Sequence, residues 1–128
     1  MICLTVDEVI LLHEKLIQST GGAAGLRDRG LLESAVWSAT IQVGNVEPYP
    51  TAEEKAARLA FALVNNHAFL DGNKRVGILA MLMMLSLNGV AVSYTQGELI
   101  SLGLAVAAGT TGYDEILDWI RVHKKDRS

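Results

Sequence analysis

The chain has one cysteine, Cys3. It cannot form an internal disulfide, and without a CxxC pair or a Cys/His array no spacing is present that would hold zinc. Aromatic residues make up only 5% of the sequence, so a core has to be built from aliphatic side chains and methionine. There is no surplus of positive charge either. The formal net charge of -3 excludes a broad basic footprint for DNA or RNA, while leaving room for a local basic pocket around a nucleotide. Asp7 and Glu8 stand where an export signal would carry a basic patch and an apolar run. With a lone thiol, these features make the cytoplasm the expected compartment. No internal repeat, low-complexity tract or linker divides the sequence, which predicts one domain over residues 1–128.

Half of the residues are hydrophobic and the mean hydropathy is +0.28, with an Ala- and Leu-rich bias that favours helices over strands. No charge interrupts Val76 to Gly97, a length that on paper could span a bilayer. Asn88-Gly89 breaks that run, however, and the strongly apolar part, Val76 to Leu87, suits a buried helix rather than a membrane span.

Helix signals divide the rest. Thr5 with Glu8 forms a capping-box pair, followed by Val9, Ile10, His13, Leu16 and Ile17 at helical spacing, and Gly21-Gly22 ends that helix. Asp28 is a favoured N-cap for a second helix. Thr40 to Pro50 reads as irregular or short extended structure, a candidate flap. Thr51 with Glu54 opens a third helix to about Asn66, the apolar helix follows from Asn73 to Asn88 with Gly89 as a left-handed cap, and Val90 to Tyr94 reads as a short extended link. Thr95 with Glu98 opens a helix to about Ala108, and a last one runs to the basic end at Lys124-Lys125. The expected fold is all-α: a compact single-domain bundle of about six helices, the amphipathic ones packed around the apolar one.

The chemistry concentrates in residues 67 to 75. Gly72 permits an unusual turn and Asn73 is a favoured N-cap, so the free amides of the next helix would form an anion site. Lys74 and Arg75 occupy the same first turn, where basic side chains oppose the helix dipole; a bound polyanion accounts for them better than local stability does. Asp71 beside phosphates calls for a bridging cation, and Mg²⁺ takes one or two carboxylates together with substrate oxygens. His67 stands near the end of the preceding helix. Imidazoles as a class titrate near neutrality, which suits a general base for an attacking hydroxyl, and Phe69 reads as an anchor for the loop. Phosphate cradle, metal ligand and base together predict phosphoryl or nucleotidyl transfer.

His67 to Arg75 reads HAFLDGNKR, which resembles the signature of the Fic/Doc superfamily: His, any residue, Phe, any residue, Asp or Glu, Gly or Ala, Asn, Gly or Lys, Arg. Lys74 stands as in the death-on-curing (Doc) toxins, where many Fic enzymes have Gly, and Ile78 replaces the second Arg usual in Fic enzymes. Ala68 departs from the common Pro without touching a proposed reacting group. The stretches Gly25 to Ala35, Tyr49 to Phe61 and Tyr113 to Ile120 also look like the Doc branch. The resemblance implies His67 as catalytic base, Asp71 as metal ligand, and Gly72, Asn73, Lys74 and Arg75 as the ATP-phosphate site, with ATP and Mg²⁺ as cofactors. It further implies the toxin of a type II toxin–antitoxin system that transfers the ATP γ-phosphate to a hydroxyl of elongation factor Tu and blocks translation. The antitoxin's disordered C-terminal segment would fold into a groove near the site, and neither nucleic acid nor membrane would be bound directly. Two other readings remain open: AMP transfer of the Fic type, and a catalytically idle module that only binds an antitoxin.

Elsewhere, His13 on the apolar face of the first helix reads as a packed core histidine, and Arg27 with Asp28 as residues fixing the turn before the second helix. Met81, Met83 and Met84 read as core filling, and His123 as part of a solvated tail with Lys124, Lys125 and Arg127.

Overall fold

The computed structural model describes residues 1–125, and Arg127 lies outside them. Six helices follow one another: α1 Val6–Thr20, α2 Arg29–Thr40, α3 Ala52–Asn66, α4 Asn73–Leu87, α5 Gln96–Ala107 and α6 Tyr113–His123. Extended backbone among the described residues is limited to isolated bridges, Leu26 with Phe69, Val43 with Val46 and Val92 with Lys124. The all-α expectation holds.

The helix starts follow their local chemistry. Thr5–Glu8 and Thr95–Glu98 are reciprocal capping boxes, and Asp28 accepts the Leu31 amide. At α3 the box closes only halfway: Thr51 accepts the Glu54 amide, but the Glu54 carboxylate takes the Thr51 hydroxyl at 2.8 Å rather than a backbone N–H. At the far end of α4, Gly89 N bonds Ser86 O and Val90 N bonds Leu85 O, with Gly89 at φ 75°, the paired closure that a left-handed glycine allows.

The apolar helix α4 shares the centre with α3. The former packs on α1, α3 and α5; the latter packs on α2, α4, α5 and α6. Buried alanines on α3 (Ala56, Ala57, Ala60 and Ala62) let its neighbours approach closely. At the tightest point a Cβ added to Gly77 would lie 2.7 Å from Val64 Cγ2 and 3.2 Å from Ala60 O. Gly77→Val is therefore expected to lose about 1–3 kcal/mol of stability in urea unfolding although valine suits a helix better than glycine, because overpacking outweighs the propensity gain. No helix among the described residues is long and apolar enough to cross a membrane.

Residues 123–125 are tied down, which corrects the expectation for His123. Helix α6 stops at His123, and Ser93 N donates to His123 O while Lys125 N donates to Ala91 O, so the link after α4 pairs with residues 123–125. The His123 ring lies 4.0 Å from Trp119, its Nδ1 is 2.7 Å from Trp119 O and its Nε2 is 2.7 Å from Glu98 Oε2. Carbonyl and carboxylate can only accept, so both ring nitrogens must donate, and the geometry specifies an imidazolium. Consistently, the His123 hydrogen bond draws the Glu98 pKa down from 4.5 to about 2, and the Glu98 bond raises that of His123 above 6.5. The Glu98 contribution is complete above pH 4.5 and lost as pH falls towards 2; that of His123 is complete below pH 6.5 and lost as pH rises through its raised value. The difference in Tm between the wild type and Glu98→Gln is thus expected to be largest between pH 4.5 and 6.5 and to shrink on both sides.

Candidate active site

Helix α3 ends because His67 enters the left-handed region, at φ 51° and ψ 46°. It is the one described non-glycine residue with positive φ. Such a conformation strains a residue with a Cβ and persists where surrounding contacts hold it. Those contacts come from the segment before α2: Arg27 Nε donates to His67 O at 2.8 Å, and the amides of Arg27 and Asp28 both donate to Ala68 O. Leu70 N in turn donates to Gly25 O, closing a short antiparallel clamp on the loop. The His67 ring itself is exposed and hydrogen-bonded to no described residue.

Phe69 is the anchor the pattern predicted. Its side chain is 2% exposed and stacks on the buried His13 ring at 3.8 Å. His13 Nε2 lies 2.7 Å from Asp71 O, so this nitrogen carries the proton and donates. The core-histidine reading of His13 is correct, and it acquires a second part: the residue joins the α1 face to the motif loop from beneath.

Asp71 is exposed but not loose. Its Oδ1 accepts from Gly72 N at 2.8 Å and its Oδ2 from Ala23 N at 3.2 Å. These two bonds, the Gly72 amide foremost, lower its pKa below 3.8, with smaller help from the Arg75 charge. It is therefore ionised at neutral pH and keeps lone pairs free for a cation. Among the described residues no group of three or more His, Cys, Asp or Glu side chains could hold a metal ion. A single carboxylate with open faces suits Mg²⁺, which draws its other ligands from phosphates and water.

The expectation for Asn73 needs correction. The N-cap of α4 is Gly72, at φ 77°, and no side chain caps that helix. Asn73 is the first helical residue, and its amide turns back: Oδ1 accepts from Phe69 N and Nδ2 donates to Phe69 O, both at 3.0 Å. The left-handed glycine is what aims the helix start here, so the usual capping side chain is displaced into holding the loop. A Cβ on Gly72 would also crowd Ile17 and His13. The first α4 amide to bond is that of Val76, to Gly72 O, and the amides of residues 73–75 remain at the open helix end.

Lys74 and Arg75 both line a cavity of about 430 Å³ between α1, α4 and α5, floored by apolar residues including Leu16, Ile78 and Leu99. His67 and Asp71 are not part of its lining. The Lys74 stem runs along Gly103, where a Cβ would come within 3.2 Å of its Cγ. Arg75 Nη1 donates to Thr20 Oγ1 and to Gly21 O, and Nη2 lies 3.7 Å from Asp71 Oδ1. Helix α1 has no basic residue in its last turn, so Arg75 supplies the positive charge that its carbonyl end favours. This structural role, across two helices, could not be inferred from the position of Arg75 at the start of α4.

The structure thus joins Asp71, Gly72 and Arg75 in one bonded cluster and places His67 four residues upstream on the same loop, while Lys74 faces α5. Sequence reasoning missed the supports: Gly22, Ala23, Gly25 and Arg27. Only the glycines carried a signal, since Gly22 at φ 111° and Gly25 at φ 122° need conformations that other residues rarely adopt.

The structure gives an all-α domain in which a pinned carboxylate stands beside the open amino end of α4, and comparison with known proteins assigns this domain to a family. Residues 3–85 match the model of the Fic/DOC family. The chain is 42% identical over 73 residues to a protein named Toxin Doc from Mycolicibacterium smegmatis, covering 57% of this chain and 56% of that protein. It is 31% identical over 115 residues to a protein named Protein kinase doc from Escherichia phage P1, covering 90% of each. The chain belongs to the Fic/DOC family.

Proposed function

We propose that the chain, acting as one domain over residues 1–128, is the toxin of a toxin–antitoxin pair and phosphorylates a hydroxyl of a translation factor, elongation factor Tu by family resemblance. The observation that carries this reading is the Asp71 carboxylate, ionised and pinned by two backbone amides beside the open amino end of α4. Asp71 would hold Mg²⁺, which when bound would offset the phosphate charge beside this carboxylate. The amides of residues 73–75, with Arg75 and Lys74 at the rim, would receive the phosphate oxygens, and Gly72 leaves the backbone open to them. His67, exposed at the exit of α3, would take the proton of the incoming hydroxyl.

Ile78 favours phosphate over AMP transfer: it is 6% exposed and packed, so no cation stands where Fic enzymes hold the nucleotide in the adenylylating orientation. A relative named as a protein kinase over 90% of the chain supports the same choice. The apolar cavity between α1, α4 and α5, with Lys74 and Arg75 at one rim, fits an amphipathic antitoxin segment carrying an acidic residue, which would withdraw both cations from phosphate. Incubation of the purified protein with elongation factor Tu, ATP and Mg²⁺, followed by intact-mass measurement, is expected to add one phosphoryl group to the factor. An adenylyl adduct, or an unmodified factor, would contradict the proposal.

A further inference from the structure

Helix α1 presents a second apolar stripe on the flank of its core contacts, where Leu12 is partly buried against the core and Leu11 is exposed. Val9, His13 and Ile17 face inward, whereas Glu8, Leu11, Leu12 and Lys15 line a recess of about 220 Å³ together with Met83 and Leu87 of α4. Leu11 is 50% exposed, Met83 38% and Leu87 40%, and Met1 and Ile2 nearby are more exposed still. Met83 therefore departs from the core-filling expectation that Met81 and Met84 meet. A contiguous patch of this kind on a small domain marks a contact surface.

The charges on the stripe say what covers it. Glu8 and Lys15 flank Leu11 and Leu12 at equal distances along the chain, so the pattern reads the same from either end with the signs exchanged. When two copies of α1 lie antiparallel about a two-fold axis between Leu11 and Leu12, each Leu11 meets the other copy's Leu12, and each Glu8 meets the other copy's Lys15. Among the described residues Lys15 makes no ion pair within its own chain, and Glu8 uses one carboxylate oxygen, Oε1, for the Thr5 amide, which leaves Oε2 able to accept from a partner. The geometry points to a symmetric homodimer formed through the Glu8–Leu11–Leu12–Lys15 face of α1, flanked by Met83 and Leu87. Those two α4 residues lie at the opposite end of that helix from Asn73, so the dimer leaves both candidate active sites and both α1–α4–α5 cavities open.

Sedimentation across a concentration series tests this on the full chain, with circular dichroism confirming that each variant is folded. The wild type is expected to dimerise by mass action, more weakly as salt is added. Glu8→Lys and Lys15→Glu each place like charges across the axis twice and are expected to weaken self-association by on the order of tenfold or more. In an equimolar mixture of the two variants, one copy is basic at both ends of the stripe and the other acidic at both ends. Opposite charges then meet at each end, so the mixture is expected to restore a heterodimer. Leu11→Glu is expected to be monomeric with unchanged activity, since Leu11 touches no part of the motif loop. A wild type that stays monomeric, single variants that dimerise like it, or a mixture that fails to associate would each overturn the assignment.

Discussion

Replacing His67 with glycine is expected to abolish transfer activity while leaving the protein as stable as before, or more so. The residue is the exit of α3 at φ 51° and ψ 46°, the position where a helix most readily accepts glycine. Its side chain is exposed and bonded to nothing described, and its carbonyl, which Arg27 holds, remains in the variant. Glycine removes a left-handed strain of about 1–2 kcal/mol and gives back part of it as unfolded-state entropy, so the unfolding free energy should stay within about 1 kcal/mol of the wild type. Loss of a general base costs about 10²–10⁴ in rate. Thermal unfolding and a phosphorylation assay read the two effects separately. A His67→Gly protein that unfolds several degrees earlier, or that keeps its activity, would show that the residue is placed for the fold and not for a reaction.

The second large effect is expected at Gly22, a residue with no reacting group. A Cβ there would overlap Asp71 Oδ2 and come within 3.1 Å of Arg75 Nη2. Because Asp71 is fixed by Ala23 N next door, the carboxylate cannot simply step aside without losing that bond. Gly22→Ala should therefore raise the Mg²⁺ concentration for half-maximal activity by about 10–100-fold, the usual cost of disturbing a support behind a metal ligand. Gly21→Ala is the control: Gly21 also has positive φ, 82°, but a Cβ on it meets nothing within 4 Å. Equal Mg²⁺ dependence in the two variants would mean that backbone strain, and not the position of Asp71, sets the response.

Both residues illustrate which parts of the site the sequence could express. Period and caps locate α1 to α6 because these are local: Thr5, Asp28 and Thr95 each bond an amide three residues on. The proposed reacting set of His67, Asp71 and the residues after Gly72 is contiguous, so a local motif can express it. What holds that set is not contiguous. His13 reaches Asp71 O, Ala23 reaches the Asp71 carboxylate and Arg27 reaches His67 O across 40 residues or more of chain. Such contacts depend on how α1 packs on α4, and no spacing rule encodes them. Asn73 shows the opposite failure, where a sound local preference for the N-cap yields to a left-handed Gly72 and to the pairing with Phe69. His123 fails similarly: its place beside Lys124 and Lys125 suggests a tail, but Glu98 on α5 captures it.

The phosphates of Mg²⁺-bound ATP are proposed to sit at the amino end of α4 beside Asp71, and all the chemistry above depends on that placement. Titrating the uniformly ¹⁵N-labelled protein with Mg²⁺ and a non-hydrolysable ATP analogue, and following backbone amide resonances, tests it directly. The amides of Asn73, Lys74 and Arg75 are expected to shift most, and the Mg²⁺ requirement for those shifts is expected to disappear in Asp71→Asn. Shifts confined to other helices, with residues 73–75 unmoved at saturation, would contradict the account.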